Sequence, residues 1–577
     1  MKFRIGLPFR KSAEPKAPAV GRDFRGSARR GAGDTMRNRL ILASACFVLV
    51  YGAIIGRLVQ MGLSLPQESV TLGNAQAAVS AARPDILDRN GEILATDIKF
   101  ASLYAEPRRV VDPDEATEQL ATVFPDLGTD AVRQRLASKQ GFIWLKREIT
   151  PAQQAAVHAL GIPGVGFLTE NKRFYPSGRT VAFVTGHVNI DNQGIAGIEK
   201  YIDDQWLGDL QRAGMASNNL EPIRLSIDLR VQQVLHDEIT AAMQRYTAKS
   251  SAAVVMNVKT GEVVGMTSAP DYDPMNPVEA LDPDRMNRAS AAVYEMGSTF
   301  KIFATSMALD SGKVKLTDSF DATQGLTIGG FTIHDFHGKH RVLTVPEIFI
   351  YSSNVGTGRE ALRVGSEGQQ EFLKRMGLMD KVPTELPEIA RPILPKRWSD
   401  LVTVTVSFGH GISVSPLATA TAASAVMNGG ILIPPTFFPR SEEEARLLGK
   451  RVLKPSTSEQ MRYLMRLNVL APGGSGKSAD IPGYRIGGKT GTAEKVENGR
   501  YSNNKRFNAF VATFPIDDPQ YLVLVVLDEP NPERPGLPAT AGMNAGPTAG
   551  NIIGRIAPML NVEPRFDDVD VPLMAAY

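Results

Sequence analysis

Two pairs of apolar runs, one on each side of a long helical stretch, constrain this chain most. Residues 252–258 and 262–268 are split by Lys259-Thr260-Gly261, and 508–514 and 521–527 form a second such pair far downstream. Runs rich in Val, Leu and Phe bounded by turn residues read as strands, and a short Gly-containing break reads as a hairpin. Helical patterns fill the interval. Ser415-Pro416 has the order of a cap and a first helical residue, with Asn428-Gly429-Gly430 as the stop. Ser456-x-x-Glu459 has the form of a capping box for a helix running to about Leu470. Strands at both ends with helices between imply one antiparallel sheet packed by helices, an α+β domain spanning 250–562.

The chain has 577 residues, too many for one ordinary core, so further domains precede this one. A connecting strand and helix occupy 226–249. Asp228 is placed to cap the helix, and Val231, Leu235, Ile239, Ala242 and Tyr246 share one face. Between 65 and 225 short strand and helix patterns alternate with turns, beginning with a polar stalk and an Asn90-Gly91 hairpin. No cluster there suggests chemistry, so it reads as a scaffold or docking domain. Upstream, 40–56 is uncharged; Arg57 interrupts it and 58–65 continues the apolar character. Taken as 40–64, this is long enough for a single transmembrane helix if Arg57 snorkels to an interface. Residues 1–39 are rich in Arg and Lys, which keeps that tail in the cytoplasm and exports the rest. The net charge of +3 gives no reason to expect a nucleic-acid partner. The one cysteine, Cys46, lies inside the expected anchor, so no disulfide or cysteine metal site is available.

Three short elements in the α+β domain carry candidate chemistry. Ser298-Thr299-Phe300-Lys301 places a hydroxyl and an amine on one helical face, where a lysine can take the proton of a serine nucleophile. Tyr351-Ser352-Ser353-Asn354 follows, and Gly488-Lys489-Thr490-Gly491-Thr492 comes after a longer interval. Each is common alone: a surface pair, a polar turn, a strand end. Ser502-Asn503-Asn504-Lys505 repeats the Ser-x-x-Lys spacing. Two further patterns are rejected. Residues 471–478 loosely resemble a phosphate loop, but a helix pattern precedes them and Pro482-Gly483 follows. His334, His337 and His340 sit in Gly-rich surroundings without cysteine, and read as an exposed loop rather than a metal site.

Together and in this order, the three elements resemble the serine, Ser-x-Asn and Lys-Thr-Gly set of penicillin-binding proteins and serine β-lactamases. That order also disposes of Ser502-x-x-Lys505, which comes after Lys-Thr-Gly. The resemblance runs along most of the chain and is to class B penicillin-binding proteins. Residues 83–94, Arg173-Phe174-Tyr175-Pro176 and 194–199 resemble the N-terminal pedestal, or dimerisation, domain of that family. Asp271-Tyr272-Asp273-Pro274, Gly409-His410-Gly411 and 413–416 resemble its transpeptidase domain. The segment from Gly488 through Lys495 to Asn508-Ala509-Phe510 looks most like the cell-division, FtsI-type branch. One departure is Met296, where many relatives have proline.

The resemblance implies an anchored mixed α/β pedestal, a β-lactamase-like transpeptidase domain at 250–562 and a C-terminal tail at 563–577. It also implies a serine D,D-transpeptidase of peptidoglycan in the inner membrane, its bulk periplasmic and at the division septum, with no cofactor or metal. Ser298 would attack the penultimate D-alanine of a stem peptide and Lys301 would accept its proton. Ser352 would relay a proton to the leaving amine, and Asn354 would hold the substrate amide. Lys489 would supply positive potential, and Thr490, Gly491 and Thr492 would line the binding strand, with the Thr490 and Thr492 hydroxyls on the substrate carboxylate. The backbone N–H groups of Ser298 and Thr492 would form the oxyanion hole. β-Lactams would acylate Ser298, and a septal glycan polymerase and other divisome proteins would be partners. Rival readings are an elongation-type transpeptidase, a carboxypeptidase or β-lactamase-like hydrolase, and a non-catalytic penicillin sensor.

Overall fold

The expected strand pairs form, and their near-continuous apolar character has a direct cause: the sheet they build is covered on both faces. The computed structural model describes residues 44–52, 54, 55, 57, 82–207, 220–497 and 500–566. Residues 1–70 and 71–577 are two separate units. In the first, the described residues at 44–52 are helical. Among the described residues no helix is long and apolar enough to cross a membrane. Much of the expected 40–64 anchor, the 1–39 tail and most of the 563–577 tail lie outside the described residues.

The second unit opens with a sheet of strands β1 (Ile86–Leu87), β2 (Ile93–Ala105), β3 (Ile143–Ile149), β4 (Val165–Phe174) and β5 (Ile223–Arg224). The Asn90-Gly91 turn closes the β1–β2 hairpin, with Leu87 opposite Ile93. Two segments distant in sequence, Arg173 to Pro176 and Gly194 to Glu199, meet here in a buried ion cluster. Glu199 accepts from the guanidinium of Arg83 at 2.8 Å and from that of Arg173 at 2.6 Å, and all three side chains are inaccessible. Arg173 also reaches Asp97 at 3.1 Å and the Pro84 carbonyl at 2.8 Å. The cluster ties β2, β4, the chain entering β1 and the short helix Gly197–Ile202 into one block.

That block is joined to the α+β domain through the connecting strand and the start of the helix that follows. β1 pairs in parallel with β5, Ile86 opposite Ile223. Asp228 caps helix α1 (Leu229–Arg245) as expected, while the fully buried Asp88 of the β1–β2 turn accepts from the Leu229 N–H at 3.0 Å. Asp271 receives Arg179 at 3.1 Å and His236 at 2.7 Å, and the Tyr272 hydroxyl donates to the Ala182 carbonyl at 2.9 Å. The Asp271-Tyr272 motif is therefore part of the junction.

The α+β domain is built on an antiparallel sheet with order β8-β9-β10-β6-β7: β6 (Ser250–Asn257), β7 (Val263–Ala269), β8 (Gly487–Glu497), β9 (Arg500–Phe514) and β10 (Tyr521–Asp528). Side chains alternate between two cores. Ala252, Val254, Leu522 and Leu524 face one, and Ala253, Val255, Val523 and Val525 face the other. Helices α2 (Lys301–Asp310), α3 (Asn354–Val364), α4 (Pro416–Met427) and α5 (Pro455–Leu470) contribute to the first core; α1 and α6 (Ala545–Met559) contribute to the second. Ser415 caps α4 and Pro416 is its first residue, as the sequence indicates. The capping box expected at Ser456-x-x-Glu459 does not form. Helix α5 starts two residues earlier than a Ser456 cap implies, at Pro455 with Lys454 as its N-cap, and the fixed φ of proline suits a first turn. Asp310, at the end of α2, accepts the Lys454 N–H at 2.8 Å and so supplies an acceptor from outside α5.

Glu199→Ala leaves two buried guanidiniums without their shared carboxylate and is expected to destabilise the chain by about 3–5 kcal/mol in denaturant unfolding. A loss under about 1 kcal/mol would show that the cluster does not hold the block together.

Candidate active site

The nucleophile candidate sits where a 3-10 turn, Gly297–Phe300, runs directly into α2. Met296, Gly297, Thr299 and Phe300 are buried, and Ser298 alone in this turn is partly accessible. Three backbone contacts pin the turn. Tyr294 exchanges N–H···O bonds with Val414 at 3.0 Å, so the 413–416 segment holds its entry. Gly409 has φ +82°, and a Cβ there would lie 2.2 Å from the Gly297 carbonyl oxygen. Gly491, on edge strand β8, lies so close that a Cβ would be 2.4 Å from the Met296 carbonyl oxygen. Met296 itself has φ −78°, within the range proline would impose, and its side chain is fully buried in the core. Proline could therefore take the same φ at this position.

Lys301 opens α2 and is completely buried. Its amine donates to the Ser352 carbonyl, to Ser352 Oγ at 3.1 Å and to Asn354 Oδ1 at 2.8 Å. Among the described residues no hydrogen bond joins it to the Ser298 hydroxyl, the contact that the helical spacing suggests. The acceptors of the 352–354 turn hold the amine instead. Lys489, also completely buried, donates to the same Ser352 Oγ at 2.9 Å. Two amines therefore converge on one hydroxyl. When both donate they occupy its two lone pairs, and the Ser352 proton is the part left to give away.

Burial pushes the Lys301 amine down to about 7, against the upward pull of the Asp335 and Glu360 carboxyls. Burial, then the charge of Lys301, holds Lys489 well below the ordinary lysine range. Nearby, burial takes His410 down to about 4 and raises the Glu295 carboxyl, which accepts from the Gly411 N–H at 2.8 Å. The Ser298 turn, the 352–354 turn and strand β8 thus meet around a dry pair of lysines.

Ser352 is held at φ +55°, a conformation uncommon for a residue with a side chain. Its neighbours are clamped by Asp335, which accepts from Ser353 Oγ at 2.7 Å and the Val355 N–H at 2.9 Å. Asn354 donates to the His334 carbonyl at 3.3 Å. Asp335 was not visible from sequence because its partners lie across a loop. The loop does carry the three exposed histidines, and among the described residues no His, Cys, Asp and Glu cluster is placed to hold a metal.

The binding-strand residues divide. Thr492 Oγ1 accepts from the Ala541 N–H at 3.1 Å, and its own proton can face a ligand. Thr490 instead donates to Ser475 Oγ at 2.7 Å. Ser475 belongs to the 471–478 loop set aside as a false phosphate loop. The fully buried Asn468 accepts from the Ser475 N–H at 3.1 Å and donates to the Gly488 carbonyl at 2.8 Å, fixing that loop against β8. A Gly-rich loop with a serine beside Lys-Thr-Gly was the available signal, and its pairing with Thr490 is what the pattern could not supply. Ser502 and Lys505 lie within strand β9, where positions three apart point to opposite faces.

Residues 251–554 match the family described as the penicillin binding protein transpeptidase domain, and 78–211 match the penicillin-binding protein dimerisation domain. The chain is 40% identical over 508 residues to the Caulobacter vibrioides protein named "Probable peptidoglycan D,D-transpeptidase FtsI", covering 86% of this chain and 85% of that protein. It is 31% identical over 561 residues to the Escherichia coli K12 peptidoglycan D,D-transpeptidase FtsI, covering 91% and 92%. Among solved structures, penicillin-binding protein 3 of Mycobacterium tuberculosis complexed with ampicillin superposes with a TM-score of 0.65 at 24% identity, covering 86% of this chain and 98% of that one.

Gly491→Ala forces a methyl against the Met296 carbonyl and is expected to cost about 1–3 kcal/mol of stability in denaturant unfolding. An unchanged midpoint would mean that β8 stands off from the nucleophile turn.

Proposed function

The chain belongs to the class B penicillin-binding proteins, serine-type D,D-transpeptidases of peptidoglycan, and on that premise we propose that Ser298 is its acylated nucleophile. The observation that carries this reading is the pair of buried lysines converging on Ser352 beside the one accessible residue of the Ser298 turn. An amine with its ordinary affinity would be protonated at neutral pH and useless as a base; one pushed down to about 7 is substantially unprotonated there. Lys301 takes the Ser298 proton as Oγ bonds to the carbonyl carbon of the penultimate D-alanine. The developing oxyanion is met by the backbone N–H groups of Ser298 and Thr492, each worth about 3–4 kcal/mol in comparable acyl transfers. Ser352, backed by Lys489, passes a proton to the departing D-alanine nitrogen. Asn354 orients the stem-peptide amide, while Thr492, with Thr490 and its partner Ser475, receives the terminal carboxylate along β8 at Gly491. An amine of a second stem peptide then takes the acyl group. β-Lactams enter by the same attack and remain on Ser298.

The finer assignments follow from the same reading. We take 1–39 as a cytoplasmic tail, 40–64 as a single-pass inner-membrane anchor, 65–225 as the pedestal, 226–249 as the connection, 250–562 as the transpeptidase domain and 563–577 as a tail. Division-type relatives support a septal role, in which a membrane glycan polymerase supplies the strands and divisome proteins position the enzyme. A fluorescent fusion is expected at midcell; uniform sidewall localisation would point to elongation instead.

The full chain, given a pentapeptide donor and an amine acceptor, is expected to release D-alanine and form the cross-linked product. Ser298→Ala should lower that rate by about 10⁴-fold or more. Release of D-alanine to water without cross-linked product would favour a hydrolase. Acylation should also rise with pH through about 7 as Lys301 loses its proton, and a rate flat from pH 5.5 to 8.5 would remove Lys301 as the base.

A further inference from the structure

The 334–340 loop, which carries the three histidines, touches the segment around Ser352 from both sides. The His334 carbonyl accepts from Asn354 at 3.3 Å, and Asp335 clamps Ser353 and Val355. On the other side the Lys339 amine lies 4.6 Å from the centroid of the Tyr351 ring. That ring also meets the 471–478 loop, since a Cβ on Gly473 would lie 3.3 Å from it. Phe336 is 69% exposed, and its ring stands edge to face with His337, the centroids 4.4 Å apart. Arg341 is committed to Glu347, while among the described residues no carboxylate pairs with the exposed Lys339. An ammonium over an aromatic face at an exposed site is held weakly, and its outer N–H groups stay open to a carboxylate. The loop thus shows solvent an apolar ring and an uncompensated cation beside the chemistry, and the Asp335 clamp needs neither.

We propose that the 334–340 loop is the binding site for the acceptor: an anionic stem peptide, a carboxylate of which meets Lys339 while its aliphatic part packs on Phe336. The reading rests on the roles of Ser298 and Ser352 proposed above. D-Alanine leaves past Ser352, which gives its nitrogen a proton, and the Lys301 amine, 3.1 Å from Ser352 Oγ, refills that hydroxyl. By microscopic reversibility the incoming amine arrives on the same side and returns a proton to the same group. Its nitrogen bonds to the acyl carbon, and the bond from that carbon to Ser298 Oγ breaks. One amine proton passes to Ser352, the Ser352 proton to Lys301, and Lys301 returns a proton to Ser298. The donor lies along β8, on the Lys489 side of Ser352. The body of the acceptor is therefore led out across the 351–355 segment, where the loop stands. Charge favours this occupant: a stem peptide ends in a carboxylate, and Lys339 is a cation that no described carboxylate meets.

The test separates the two half-reactions on the full chain. Acylation is followed with a fluorescent penicillin. Cross-linking is followed with a pentapeptide donor and a stem-peptide acceptor whose carboxylates are either free or amidated. Lys339→Ala should raise the acceptor KM about fivefold, and Lys339→Glu should raise it further, for the free-carboxylate acceptor only. Phe336→Ala should raise it for both acceptors. The rate of penicillin acylation should hold in all three variants, because they leave the donor side of the site intact. An unchanged acceptor KM in Lys339→Glu and Phe336→Ala overturns the proposal. So does an effect of Lys339→Glu that is equal for the two acceptors, or a loss of penicillin acylation that matches the loss of cross-linking. A wild-type chain that takes up no penicillin would instead overturn the parent assignment of Ser298.

Discussion

The site depends on two lysine amines buried around a single serine hydroxyl. Neither Lys301 nor Lys489 is exposed, and each is held by oxygens of the 352–354 turn or by backbone. Burying an ammonium is strongly unfavourable, and the structure resolves the conflict by lowering the proton affinity of both groups. The same burial that lowers the proton affinity of Lys301 holds the Lys489 amine 2.9 Å from the Ser352 hydroxyl. Much else in the domain serves this arrangement. Edge strand β8 must approach the Ser298 turn backbone to backbone, which the glycines at 409 and 491 permit. The Asp335 clamp holds the segment around Ser352, whose own φ is positive.

The pedestal is organised by charge as well, but to a different end. Glu199 sits between two arginines in a cluster with no access to solvent, which fixes segments that are far apart in sequence. Such a cluster adds little net stability over an apolar core, yet it specifies which segments meet. It lies in the block that receives Asp271 and Tyr272 of the α+β domain, so it bears on how the two are joined rather than on chemistry.

What could be read from sequence follows the range of the interactions. The strands buried on both faces announce themselves as apolar runs, and local caps such as Asp228 and Ser415 are visible because cap and helix are adjacent. The cap of α5 was misplaced because Asp310, which serves Lys454, is remote in sequence. Strand β8 is too polar to stand out as an apolar run, and only its Lys489 to Thr492 part reads as a strand. Spacing and family resemblance single out Ser298 together with Lys301, Ser352, Asn354 and Lys489, and the last four meet through hydrogen bonds. That Lys301 bonds to Ser352 and Asn354 rather than Ser298 could not be read from either, because three-dimensional packing decides which acceptor wins. Asp335 and Asn468 act through partners distant in sequence, and no local pattern marks them; the loop of Ser475 is marked by its glycines, but nothing in it names Thr490 as the partner.

The most direct test of the central claim, that this buried-lysine arrangement activates Ser298 and no other hydroxyl, is the position of a covalent adduct. The full chain would be exposed to benzylpenicillin, digested and mapped by mass spectrometry. A single penicilloyl group on the peptide containing Ser298 is the predicted result. An adduct on Ser352 or Ser475, or its absence at saturating penicillin, would contradict it.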